Sequence, residues 1–171
     1  MTQKLPSWIG SLITLTDCDG DSEKYIEKLF EIFKKDFIES RPVFNGKPVL
    51  FDKNLDGDKP NTFVHITTET DPITKQRILS MPRCERIGWL RQVIDNNSDS
   101  EVLVWEKVHY SKKKKTNRVC LYLECGDYLV ILDEQKHGFY IITGIYVDYP
   151  YQKKRHRKEF EKYSKNTNSK S

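Results

Sequence analysis

Apolar residues recur at Tyr25, Ile26, Leu29, Phe30, Phe33 and Phe37, the spacing of a helix that buries one side. Asp21 or Ser22 stands at the N-cap, Glu23 falls in the first turn, and Arg41-Pro42 sets the far limit, since the residue before proline is pushed out of helical geometry. Short extended pieces are expected at "PVF" and "KPVLF", then a polar turn, "DKNLDGDKPN". In "FVHITTE", Phe63 to Glu69, the β-branched residues predict a strand. Its alternation would set His65 on the face of Phe63 and Thr67, as a hydrogen-bonded structural histidine or as an acid-base group in a cleft. A second helix, between Pro82 and "DNNSDS", aligns Ile87, Leu90 and Ile94 with Arg83 at the centre of the same stripe. An arginine there needs a buried carboxylate, a carbonyl at the end of another element, or a phosphate. Arg86 and Arg91 flank the stripe.

From Glu101 onward the period changes from helical to alternating. The segments "EVLVWEKVHY", "TNRVCLYLE", "DYLVILDE" and "GFYIITGIYVDY" predict four strands with short connections, an antiparallel meander. Alternation puts Leu103, Trp105, Lys107 and His109 on one face of the first strand, groups Arg118 with Cys120 and Tyr122, and aligns Thr143 with Phe139 and Ile141. Gly144 suggests a bulge, which leaves the side of Tyr146 open. A charged helix is expected from about Tyr151 into the 160s, followed by a disordered tail, "SKNTNSKS". The pattern predicts one α+β domain over residues 1–163 and a polar tail over 164–171. Its N-terminal, central and C-terminal helices are expected on one face of the sheet, leaving the other face or its rim for a ligand.

Composition narrows the function classes. No long uncharged apolar run occurs and the N-terminus shows no small-residue cleavage pattern, so neither a membrane span nor a signal peptide is expected and the reading is cytoplasmic. Cys18, Cys84, Cys120 and Cys125 lack paired spacing, which favours reduced thiols over zinc or disulfides. Two acidic loops imitate calcium sites but carry Phe63 and Lys28 where the bidentate glutamate belongs, so no metal or other cofactor is expected. The net charge of +4 is concentrated in Lys112 to Lys115 and in "KKRHRK", Lys153 to Lys158, beside the tyrosines of "YVDYPYQ". A lone lysine run is commonly a solvated loop. Two clusters near tyrosines point to a polyanion, and RNA fits better than duplex DNA because no helix-turn-helix, zinc-finger or basic-zipper pattern is present.

The order "FVHIT", "RCERIGWLRQVI", "VWE", a basic turn, "TNRVCLYLECGDYLVILDE" and "FYIITGIYVDYPYQKKRHRKEFEKY" resembles the phage- and plasmid-associated nucleases of the barnase, EndoU, colicin and RelE-like superfamily, abbreviated BECR. The resemblance spans roughly residues 45 to 163. It implies a helix-plus-antiparallel-sheet fold that cleaves RNA without a metal, an endoribonuclease of toxin or phage-defence type, with tRNA as one candidate substrate and a neutralising antitoxin or immunity protein as a candidate partner. The positions matching the family's polar positions are His65, Arg83, Arg86, Lys107 or Arg118, and Thr143. Gly144 departs from the alanine expected in a "TAYYV"-like strand. Metal-free cleavage needs a base at the 2′-hydroxyl, cations on the phosphorane and an acid for the 5′-oxygen. His65 would serve as base or acid, the arginines as braces, Lys107, Arg118 or His109 as further charge, and Thr143 or Tyr140 as orienting groups. A non-catalytic RNA-binding module and an interaction domain with internal ion pairs use the same residue types.

Overall fold

The computed structural model describes residues 3–169. Helix α1 (Ser22–Phe33) begins where Asp21 accepts hydrogen bonds from the backbone N–H groups of Glu23 and Lys24, satisfying donors that a helix start leaves free. It buries Tyr25, Leu29 and Phe33, and a π-helical turn over Lys34–Ile38 carries Phe37 into the same core. Strands β1 (Val43–Phe44) and β2 (Lys47–Leu50) form a hairpin, and the acidic turn becomes a second small hairpin, β3 (Leu55–Asp56) and β4 (Lys59–Pro60). Within that turn Asp52 accepts hydrogen bonds from the Asn54 backbone and the Asn61 amide.

The expected strand at "FVHITTE" is instead helix α2 (Asn61–Thr67), running into the short strand β5 (Thr68–Thr70), which pairs with β6 (Arg77–Leu79). Phe63, Ile66 and Thr67 are buried at i, i+3 and i+4, so helical spacing prevails over β-branched propensity. Thr67 and Thr68 return their hydroxyls to the carbonyls of Phe63 and Val64 and close the helix end. The central helix is two pieces, α3 (Met81–Glu85) and α4 (Ile87–Asp95), broken at Arg86.

The main sheet has six strands in the order β1-β2-β10-β9-β8-β7, with β7 (Val102–Tyr110), β8 (Lys115–Leu123), β9 (Tyr128–Gln135) and β10 (Gly138–Tyr146). It is mixed, because β10 pairs in parallel with β2 while its other side pairs antiparallel with β9. A purely antiparallel sheet of about four strands therefore describes only part of it. One face packs under α1 to α4, with Val119, Leu121, Leu123, Val130 and Leu132 in the core. The opposite face receives α5 (Pro150–Ser169) through Phe160 and Tyr163 over Leu103, Trp105, Cys120 and Tyr122. Helices thus occupy both faces of the sheet, since strands apolar on both sides must be covered on both sides. Residues 164–169 of the expected polar tail continue α5; Lys170 and Ser171 lie outside the described residues. Among the described residues no helix is long and apolar enough to cross a membrane.

A bulge between Ile141 and Thr143 resets the last strand. Ile142 is the extra residue, so Thr143 lies opposite Ile131 on the α5 face, away from the face of Phe139 and Ile141 where plain alternation would put it. Gly144 and Tyr146 fall on the α1–α4 side, opposite Val130 and Tyr128.

Candidate functional site

Arg83 reaches backward and donates from Nη1 to the carbonyls of His65, at 3.1 Å, and Thr68, at 2.9 Å. Cys84, next in α3, donates its thiol to the Thr67 carbonyl at 3.2 Å. These two residues close the C-terminal end of α2, where carbonyls lack helical partners. The central position of Arg83 on its apolar stripe is met by a carbonyl at the end of another element. Arg86 donates to the Pro82 carbonyl at 3.0 Å, and its guanidinium lies 4.2 Å from the Tyr146 ring centroid and 5.3 Å from that of Trp89. It clamps the α3–α4 break onto β10.

His65 stands at the rim of a cleft of about 490 Å3 with Asp52, Asp56, Asn61, Thr62 and Arg77. Arg77 donates to Thr68 Oγ1 at 2.9 Å and approaches His65 Nδ1 at 3.5 Å. That contact makes Nδ1 the acceptor and leaves the proton on Nε2. Desolvation, then the Arg77 and Arg83 cations, holds the His65 imidazolium below the usual histidine range, so the ring is neutral at pH 7. A neutral ring whose Nδ1 faces Arg77 has Nε2 left for other partners.

These placements separate two roles by stability. Arg83→Ala is expected to lower unfolding free energy by about 2 kcal/mol through loss of two charge-assisted hydrogen bonds, whereas His65→Ala should change it by less than about 0.5 kcal/mol. Urea unfolding of both variants checks this. Equal midpoints would mean that Arg83 does not cap α2.

The other candidates gather elsewhere. Register aligns Lys107 with Arg118, Arg118 with Asp133, and Asp133 with Tyr140, a polar row across four strands on the α5 face. Thr143 lies one row along, opposite Ile131, and His109 one row the other way, opposite Thr116. The row lies just past the part of the sheet that α5 covers: the Lys107 side chain is 40% exposed and Tyr140 is half-buried. Lys107 Nζ is 3.5 Å from Glu159 of α5, which also accepts from Trp105 Nε1 at 3.1 Å. Arg118 Nε and Asp133 Oδ1 face each other at 3.8 Å, too far to hydrogen bond, while Gln135 donates to the other Asp133 oxygen at 3.2 Å.

Buried polar groups are normally paired. Among the described residues the buried side-chain atoms without a partner are Arg86 Nε, Arg118 Nε, Asp133 Oδ1, Thr143 Oγ1 and His156 Nδ1. All but the first lie on the α5 face of the sheet. His156 projects from α5 between Trp105 and Tyr122, with ring centroids 6.0 and 5.6 Å away. The exposed Lys112–Lys115 turn joins β7 to β8 beyond the His109 end of the row.

Lys107, Arg118 and Thr143 are therefore brought to one face of the sheet, exposed at Lys107 and buried at Thr143, and His65, Arg83 and Arg86 lie across the sheet from them. Sequence reasoning missed Asp133 and Arg77. The alternation of "DYLVILDE" carries the signal for Asp133, a carboxylate on the same side as Leu129 and Ile131. Compared with protein-family models, curated proteins and solved structures, the chain matches none.

Proposed function

We propose that this chain is a metal-independent endoribonuclease whose site is the open half of the α5 face. One observation carries the reading: Arg118 Nε, Asp133 Oδ1 and Thr143 Oγ1 are buried on one face beside Lys107 without a hydrogen bond, the first two facing each other only as an ion pair at 3.8 Å. Cations next to a carboxylate with spare acceptor capacity suit 2′-hydroxyl transesterification. Asp133 takes the proton of the 2′-hydroxyl, Lys107 and Arg118 stabilise the charge that grows on the phosphorane, and Thr143 and Tyr140 orient the phosphate. His109, next to Lys107 along this face of β7 and less buried than His156, protonates the leaving 5′-oxygen. RNA is the substrate class, tRNA included, and a protein covering this acid- and base-bearing face would be its inhibitor.

A non-catalytic RNA-binding module is the second reading. It is favoured by the balance of Lys107 against Glu159 and of Arg118 against Asp133 within the folded chain. The two readings part in one assay, labelled RNA incubated with purified protein in EDTA. Cleavage leaving a 2′,3′-cyclic phosphate or its hydrolysis product is the expected result. A requirement for a divalent ion, or 3′-hydroxyl ends, would sink the mechanism, and binding without cleavage would leave the second reading.

A further inference from the structure

The cations of α5 from Lys153 to Lys162 fall into two sets. Lys153 is held by Asp127 at 2.9 Å, and Arg157 by Glu124 at 3.1 Å and Glu161 at 3.0 Å. Lys154, Arg155, Lys158 and Lys162 make no ion pair among the described residues; with Tyr151 and Glu159 they line a groove of about 470 Å3. Helical rotation puts positions 151, 155, 158 and 162 along one side of α5, a stripe about 16 Å long at 1.5 Å per residue. At its start Tyr149 and Tyr151, 57% and 64% exposed, stack on each other with centroids 5.7 Å apart and planes 27° from parallel. At its other end Lys162 and Glu159 also line the adjoining groove with Trp105 and Lys107. The stripe is thus continuous with the polar row of the sheet.

We propose that this stripe is a track for single-stranded RNA, with unpaired bases stacking on Tyr149 and Tyr151 and phosphates following Arg155, Lys158 and Lys162 toward Lys107. The inference rests on the nuclease reading for its destination, but not for its chemistry. Unpaired cations along a groove answer a phosphate backbone, and exposed rings answer bases that no partner strand conceals. A lipid surface fits less well. An interfacial helix binds by sinking its apolar side, and the apolar side of α5, Phe160 and Tyr163, is already packed on the sheet.

The test measures binding of a short oligouridylate to the full chain across a salt series by fluorescence anisotropy. Tyr149→Ala/Tyr151→Ala should weaken binding about ten-fold with the salt slope kept, and Tyr149→Phe/Tyr151→Phe should bind as the parent does. Changing Lys154, Arg155, Lys158 and Lys162 to Ser should flatten the log-log slope by up to about 2.8. Melting curves confirm that these surface variants fold. Unchanged affinity in the alanine pair overturns the track, even if the parent protein cleaves RNA. Binding lost with the tyrosines in a protein that never cleaves RNA supports the track and removes the nuclease reading. Phosphatidylserine vesicles bound more tightly than oligouridylate, through the same residues, would make lipid the occupant and overturn the proposal.

Discussion

Replacing Arg118 by methionine should lower the single-turnover rate of RNA cleavage by ~10²-fold or more, with a much smaller change in affinity. Arg118 is fixed on β8 with its Nε buried and without a hydrogen bond, opposite Asp133 at 3.8 Å. On the nuclease proposal a guanidinium held there would meet the phosphorane without reorganising, whereas the Lys112–Lys115 turn would only attract the strand. Methionine keeps the unbranched stem as far as the position of Nε but leaves the Asp133 carboxylate, itself 5% exposed, without its cation, a change that destabilises by itself. Arg118→Lys therefore accompanies it: the charge stays, the fork geometry goes, and the rate should still fall by ~10-fold or more. Rates at saturating RNA are read together with melting curves. A folded Arg118→Met protein that cleaves at the parental rate would remove this face from the chemistry.

Gly144→Ala should destabilise the fold by about 3 kcal/mol, at the upper end of overpacking effects. A Cβ at this position would overlap the hydroxyl of Tyr128 and lie 3.1 Å from Leu90 Cδ1. Tyr128 and Leu90 are buried, so neither can swing into solvent. Tyr128→Phe removes the overlapping oxygen, and the double variant should recover at least half of the loss. A double-mutant cycle by urea unfolding measures that coupling. Additive losses would place the strain somewhere other than at the hydroxyl. The glycine here thus follows from the tyrosine on the neighbouring strand.

The first helix was legible because its signals agree: Asp21 at the cap, Tyr25, Leu29 and Phe33 at one spacing, and a proline beyond the end. The strands from Val102 to Tyr146 were legible by alternation, and the faces assigned to Trp105, Lys107, Arg118 and Cys120 agree with the packing. "FVHITTE" was not, because Val64, Ile66 and Thr67 satisfy strand propensity while Phe63, Ile66 and Thr67 satisfy helical burial, and only the core decides. Thr143 was assigned to the wrong face because one bulged residue inverts everything after it. The Arg118–Asp133 pair depends on the register of β8 against β9, and register between separate segments is not written in either one. Arg83 was correctly read as needing a partner, but a backbone carbonyl leaves no mark in sequence.

The parallel pairing of Val49 with Phe139 joins positions 90 residues apart. Antiparallel hairpins such as β7–β8 close over a few residues, and non-local pairs must first meet the entropy of a long loop. During synthesis β2 therefore has its hairpin mate β1 but an unpaired outer edge until β10 has left the ribosome. Gly138, where any Cβ would overlap the Pro48 carbonyl, is the point at which that late seam must close. That seam cannot close before β10 exists, and until then β2 offers an open strand edge, with the tendency of such edges to pair with other chains.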